Sequence, residues 1–117
     1  MLIAVTFVAL AVASIQYARR DLPFDSQAWK ADRFGHTTVR YRMWNDLERR
    51  LKNGEISTRE NAVAHLGWPD PNTPETKQRK ALNWTYGMQK PGLGFPYYVR
   101  IQFDEEGRIL AWARLPQ

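Results

Sequence analysis

The sequence predicts an α+β fold: a two-layer sandwich with two helices packed on a three-stranded antiparallel sheet (ααβββ), preceded by an N-terminal apolar leader or anchor helix. Three observations carry that prediction. Apolar residues recur at helical spacing between Val39 and Leu51. They alternate with polar or small residues in three runs between Leu82 and Leu115. Short connections containing Gly92, Gly94 and Gly107 join those runs, which suits antiparallel neighbours and not the long crossovers of a doubly wound sheet. A chain of 117 residues is long enough for one such domain and too short for two. Five Trp, five Tyr and five Phe supply the bulk of a compact core, which argues against intrinsic disorder.

Residues 1–20 precede the fold. Met1 to Ala18 carries no charged side chain, and Arg19, Arg20 and Asp21 follow at once. As a helix at about 1.5 Å per residue this run reaches roughly 27 Å, close to the thickness of a bilayer's hydrocarbon core. Ala11-Val12-Ala13 before Ser14 fits the small-x-small rule of signal-peptide cleavage, so the segment reads as a signal peptide or a transmembrane anchor. Against export, no basic side chain precedes the run, and by the positive-inside rule Arg19 and Arg20 would hold the body in the cytoplasm. A buried N-terminal element is the plain alternative. Residues 21–36 form a lead-in with one helical turn at Asp25 to Trp29, capped by Asp25 or Ser26, and with Phe24 and Trp29 pinned to the core. The domain proper is placed at 37–117.

The first long helix is expected from Val39 to Lys52, because Val39, Met43, Leu47 and Leu51 recur every fourth residue and Trp44 widens the stripe. Thr37 or Thr38 can cap it, and Asn53-Gly54 can stop it. A second, short helix begins at Ser57-Thr58-Arg59-Glu60, which reads as a capping box between Ser57 and Glu60. Its apolar side is Ala62, Val63 and Leu66; Gly67 ends it and Pro69 forbids continuation. Asp70 to Arg79, with Pro71 and Pro74, reads as an exposed loop. Strands follow at Leu82 to Met88, Tyr97 to Phe103 and Arg108 to Leu115. The middle one is the clearest, since Tyr97, Val99, Ile101 and Phe103 alternate with Tyr98, Arg100 and Gln102. Asp104 to Gly107 makes the last hairpin loop.

Much chemistry is excluded by what the chain lacks. Without cysteine there is no disulfide, thiolate metal site, cysteine nucleophile or lipidated cysteine. The two histidines, His36 and His65, stand in no metal-binding or triad pattern, so neither a metal nor any other cofactor is expected. Glu105 and Glu106 are adjacent on a turn and read as solvated, and the Gly92-x-Gly94 stretch lacks the lysine and helix of a phosphate loop. The excess of 17 Lys and Arg over 12 Asp and Glu, a net charge of +5, favours an acidic partner without identifying it. Arg40, Arg42, Arg49, Arg50 and Lys52 on one helix, with Lys77, Arg79, Lys80 and Lys90 flanking the first strand, can form a basic patch. Such a patch suits anionic phospholipid headgroups at about 1 kcal/mol per basic side chain, with a solvated face as the plain alternative. Nucleic acid is the less expected partner, because most aromatics sit at core positions and not beside the patch.

The apolar leader, the helix stop Leu66-Gly67-Trp68-Pro69-Asp70, the Trp84-x-Tyr86 strand and the Phe103-Asp104-x-x-Gly107-Arg108 hairpin together resemble the BamE-like (SmpA/OmlA) envelope family. The resemblance covers roughly Phe24 to the C-terminus. It implies an ααβββ fold, shared with the repeats of β-lactamase-inhibitor proteins, and a non-catalytic role in contacting envelope proteins and phosphatidylglycerol. Two features depart from the family pattern. There is no lipobox cysteine, and Ile56 stands where a glycine is expected ahead of the short helix. The expectation is therefore a non-enzymatic binding or scaffold module of the cell envelope, periplasmic or inner-membrane-anchored and not a lipoprotein. An envelope protein is its expected partner. A proteinaceous inhibitor or immunity-type protein of the same fold is the alternative, and a small basic nucleic-acid-binding domain the next. Candidate contact residues are Tyr98, Arg100 and Gln102 on the polar side of the clearest strand, with Trp68 after the short helix; core packing is the rival account of Trp68. The oligomeric state is left open.

Overall fold

A computed structural model describes residues 20–70, 81–92 and 95–116. The leader, most of the proline-rich loop and part of the Gly92-Gly94 connection, with Lys77, Arg79 and Lys80, lie outside the described residues. Among those described, the order is α1 (Ser26–Ala31), a 3-10 turn (Arg33–Gly35), α2 (Val39–Lys52), α3 (Arg59–Leu66), β1 (Asn83–Gln89), β2 (Pro96–Phe103) and β3 (Ile109–Pro116). The strands form one antiparallel sheet in the order β1-β2-β3. The α+β class is thus as expected, with a third, six-residue helix where the sequence indicated a single turn. None of the described helices is long and apolar enough to cross a membrane.

The helices cover one face of the sheet because alternation sends Trp84, Tyr86, Met88, Val99, Ile101 and Phe103 to the same side. There they meet Trp29, Met43, Trp44, Leu47, Leu51, Ala62 and Leu66. Each fully buried Leu or Phe side chain contributes about 1.5–3 kcal/mol relative to exposure. Aromatic edges knit the core: Trp29 of α1 stands 6.0 Å from Tyr86 across the layers, and Trp84 is 4.8 Å from Phe103 within the sheet, both edge-on. Phe24 and Trp29 from the lead-in belong to this same core. At its far side α2 reaches β2 and β3: Tyr41 packs edge-on against Tyr97 of β2, the Arg114 guanidinium of β3 lies 4.6 Å over the Tyr41 ring, and Trp112 Nε1 of β3 donates to Glu48.

The helix ends differ from their sequence reading in instructive ways. Asp25 caps α1, accepting from the Ala28 amide. Neither threonine dominates the start of α2. Instead Asp32 accepts from the amide and hydroxyl of Thr37 and from the Arg40 amide, so the acceptor comes from the preceding turn. The cap of α3 is Thr58, one residue later than expected. Thr58 accepts from the Asn61 amide, and Asn61 Oδ1 accepts from Ser57, displacing the Ser57–Glu60 box. Gly67 ends α3 with φ of 76°, and the buried Tyr86 hydroxyl donates to its carbonyl at 2.8 Å. Burial pushes that phenol far above its ordinary range, Asp70 adding to the shift and Arg40 opposing it.

Candidate functional site

The site is organised by Arg40. In sequence it is one of five cations on α2, yet in the fold it is 2% exposed and belongs to no basic patch. Its Nε donates to the Trp29 carbonyl, and Nη1 donates to Asp70 Oδ2 at 2.5 Å and to the Gly87 carbonyl at 3.1 Å. Its guanidinium also lies 4.9 Å over the Trp29 ring. Asp70, read from sequence as the start of an exposed loop, is 9% exposed. Its backbone N–H donates to the Thr85 carbonyl and its Oδ2 accepts from the Gly87 amide at 2.6 Å. Proline-rich sequence said nothing of this, because the partner that buries Asp70 stands 30 residues earlier.

These bonds occupy three outward backbone groups at the middle of β1, the Thr85 C=O and the Gly87 N–H and C=O. Thr85 and Gly87 turn those groups away from β2, toward what would otherwise be an open sheet edge, and Asp70 and Arg40 take the place of a neighbouring strand. The turn at Arg33–Gly35 closes the same edge by direct backbone approach. A Cβ on Gly35 would overlap the backbone of Gly87 and Met88, and one on Gly87 would lie 2.6 Å from the Phe34 carbonyl oxygen. The fit holds Phe34 at φ of 63°, a left-handed conformation uncommon outside glycine, and the residue is 55% exposed.

Around this edge lies a hollow of about 610 Å³ on the face of the sheet opposite the helices, lined by Phe34, Asp70, Thr85, Gly87, Tyr98 and Arg100. Two of the four candidate residues, Tyr98 and Arg100, therefore line it. Gln102 is exposed on the same face one step along β2 and is not part of the lining. Trp68 is elsewhere: half-buried, with its ring 5.6 Å from Trp84, it borders a smaller hollow of about 240 Å³ with Lys30, Arg33, Arg40, Leu66, Gly67 and Asp70. Asp70 is common to both. Arg100 is exposed and its side chain has no hydrogen bond or ion pair among the described residues, whereas Asp70 Oδ2 is engaged twice. The hollow thus offers two aromatic faces and one open cation, on a glycine floor. Phe34 was missed from sequence because nothing local marks a non-glycine residue for positive φ.

The remaining basic residues of α2 are largely matched by acids. Arg49 and Arg50 both pair with Asp46, Arg50 also with Glu55, and Lys52 with Glu48. The Phe24 amide and then Arg49 hold the Asp46 carboxyl below its ordinary range, while Glu55 raises Arg50. His36 is exposed beside Asp32, and the His65 ring packs 6.5 Å from Phe24. Among the described residues, no three His, Asp or Glu side chains gather into a group that could hold a metal ion. Compared with known proteins, the chain matches no family model, no curated protein and no solved structure.

Proposed function

We propose that this chain is a non-enzymatic binding module of the cell envelope, similar in kind to BamE-like proteins, which contacts an envelope protein through the outer face of its sheet. The observation that carries the reading is the hollow at β1 and β2, where exposed Phe34 and half-buried Tyr98 flank the open Arg100. Aromatic and arginine side chains together are typical anchors of protein contacts. Its one carboxylate, Asp70, is committed to Arg40 and the Gly87 amide, a structural task and not a proton-transfer one. The apolar run at 1–18 supports placement at the envelope. Contact with anionic phospholipid is a weaker part of the reading, since Arg49, Arg50 and Lys52 already face acids.

A photo-crosslinking residue at position 98 of the full chain, expressed in cells that are then fractionated, tests this. The expected result is one discrete adduct with an envelope protein, diminished by Arg100→Glu. A single adduct with a soluble enzyme would instead favour the inhibitor reading. A chain found wholly in the cytosol would overturn the envelope assignment, and nucleic-acid binding that falls steeply with salt would then lead.

A further inference from the structure

The second edge of the sheet lacks the closure of the first. Antiparallel alternation fixes which groups point where. Because Gly87 and Thr85 direct their amide groups away from β2, their opposite residues Tyr98 and Arg100 bond to β3, at Leu115 and Ala113. The outward N–H and C=O groups of β3 are then those of Trp112 and Arg114. No hydrogen bond reaches them among the described residues. Only the start of this edge is covered: the Ile109 amide donates to Ser57, and Thr58 bridges Arg108. The bulge between Gln102 and Phe103 accounts for Ile109 pointing outward. What remains open is 110–116, beginning with Leu110, which is 60% exposed, and ending at Pro116, which has no N–H to offer.

We propose that this edge is the contact between two copies of the chain, paired antiparallel about Ala113. That residue is the midpoint of the open stretch. The pairing sets Trp112 opposite Arg114 of the second copy, where their outward amides exchange hydrogen bonds, and Ala111 opposite Leu115. On the outer face the contact is then apolar, with the smallest side chain at the two-fold axis. The stretch carries one charge, and the register puts it across from an indole and not across from itself. Assembly stops at two copies because the β1 edge of each is occupied by Asp70, Arg40 and the Arg33–Gly35 turn.

The absence of native cysteine makes a clean test. At the axis Ala113 meets its own counterpart in a non-hydrogen-bonded pair, whose Cα atoms lie about 4.5 Å apart, within disulfide range. Ala111 is displaced from its counterpart by four residues, roughly 14 Å along the strand. The full chain, kept in mild detergent, is measured by native mass spectrometry over a concentration series, and Ala113→Cys and Ala111→Cys are oxidised in parallel. A doubled native mass, near-complete covalent dimer for Ala113→Cys and only background for Ala111→Cys is the expected result. Reduced variants with the wild-type circular dichroism spectrum show that folding is unchanged. A monomer at every concentration leaves the edge to a strand from another protein and overturns the proposal. So does a dimer that fails to crosslink at 113, or one that crosslinks equally at 111.

Discussion

The two edges of this small sheet solve the same problem in opposite ways. At the middle of β1 the Thr85 C=O is taken up by the Asp70 amide, and the Gly87 N–H and C=O by the Asp70 carboxylate and Arg40, all inside the chain. At β3 the closure reaches only Ile109, through Ser57, and Leu110 onward stays open. An unpaired edge invites another strand, so the difference determines where this protein can grow. It also shows why a buried ion pair stands in so small a core. Arg40 and Asp70 do the work of a missing strand, and a hydrophobic pair of the same volume could not satisfy the Gly87 N–H and C=O.

Breaking the closed edge should give the largest effect. Asp70→Ala leaves the 2%-exposed Arg40 without its counter-charge and the Gly87 amide without an acceptor. A loss of about 3–5 kcal/mol in urea unfolding is expected, because an uncompensated buried charge is the costly product. Next comes the backbone fit. Gly35 and Gly54 both have positive φ, yet a Cβ at Gly54 meets nothing within 4 Å while one at Gly35 overlaps β1. Gly54→Ala should therefore cost about 1–2 kcal/mol from left-handed strain alone, and Gly35→Ala clearly more in the same assay. Equal losses would show that the turn does not press on the strand.

Two smaller effects sharpen the contrast. Asp46 is held below its ordinary value of 3.8 first by the Phe24 amide and then by Arg49. Its folded form thus favours the carboxylate, so its contribution to stability is full above that ordinary value and is lost as pH falls through the lowered one. Thermal unfolding of Asp46→Asn should accordingly fall less on acidification below pH 3.8 than that of the wild type. The smallest change expected is at the open edge. Ala111→Lys lies on an exposed strand position and should alter unfolding of the monomer by no more than about 0.5 kcal/mol, while weakening self-association.

Periodicity made most of this fold legible. The spacing of Val39, Met43, Leu47 and Leu51 marks α2 with the bounds the structure gives, and β2 shows the alternation of Tyr97 to Phe103 with one residue added at its start. Asn53-Gly54 and Gly67 stop their helices as glycine chemistry requires. Two of the six residues lining the hollow were legible too, since Tyr98 and Arg100 are the polar side of that strand. The closed edge beside them was not. Asp70 and Arg40 are far apart in sequence, and a lone arginine among charged neighbours resembles a solvated face. One signal was available: Arg40 stands in line with Trp44, Leu47 and Leu51 on the buried stripe, where a cation needs a partner. The cap of α3 shifted by one residue because Thr58 and Ser57 are both competent and Asn61 chooses between them.

Residue-resolved amide hydrogen exchange on the full chain, at a concentration low enough to keep it monomeric, reads both edges at once. The Gly87 amide, bonded to Asp70, should exchange as slowly as the core of β2, while the amides of Trp112 and Arg114 exchange quickly. Fast exchange at Gly87, or protection at Trp112 and Arg114 equal to it in the monomer, would contradict the division into one closed edge and one open one.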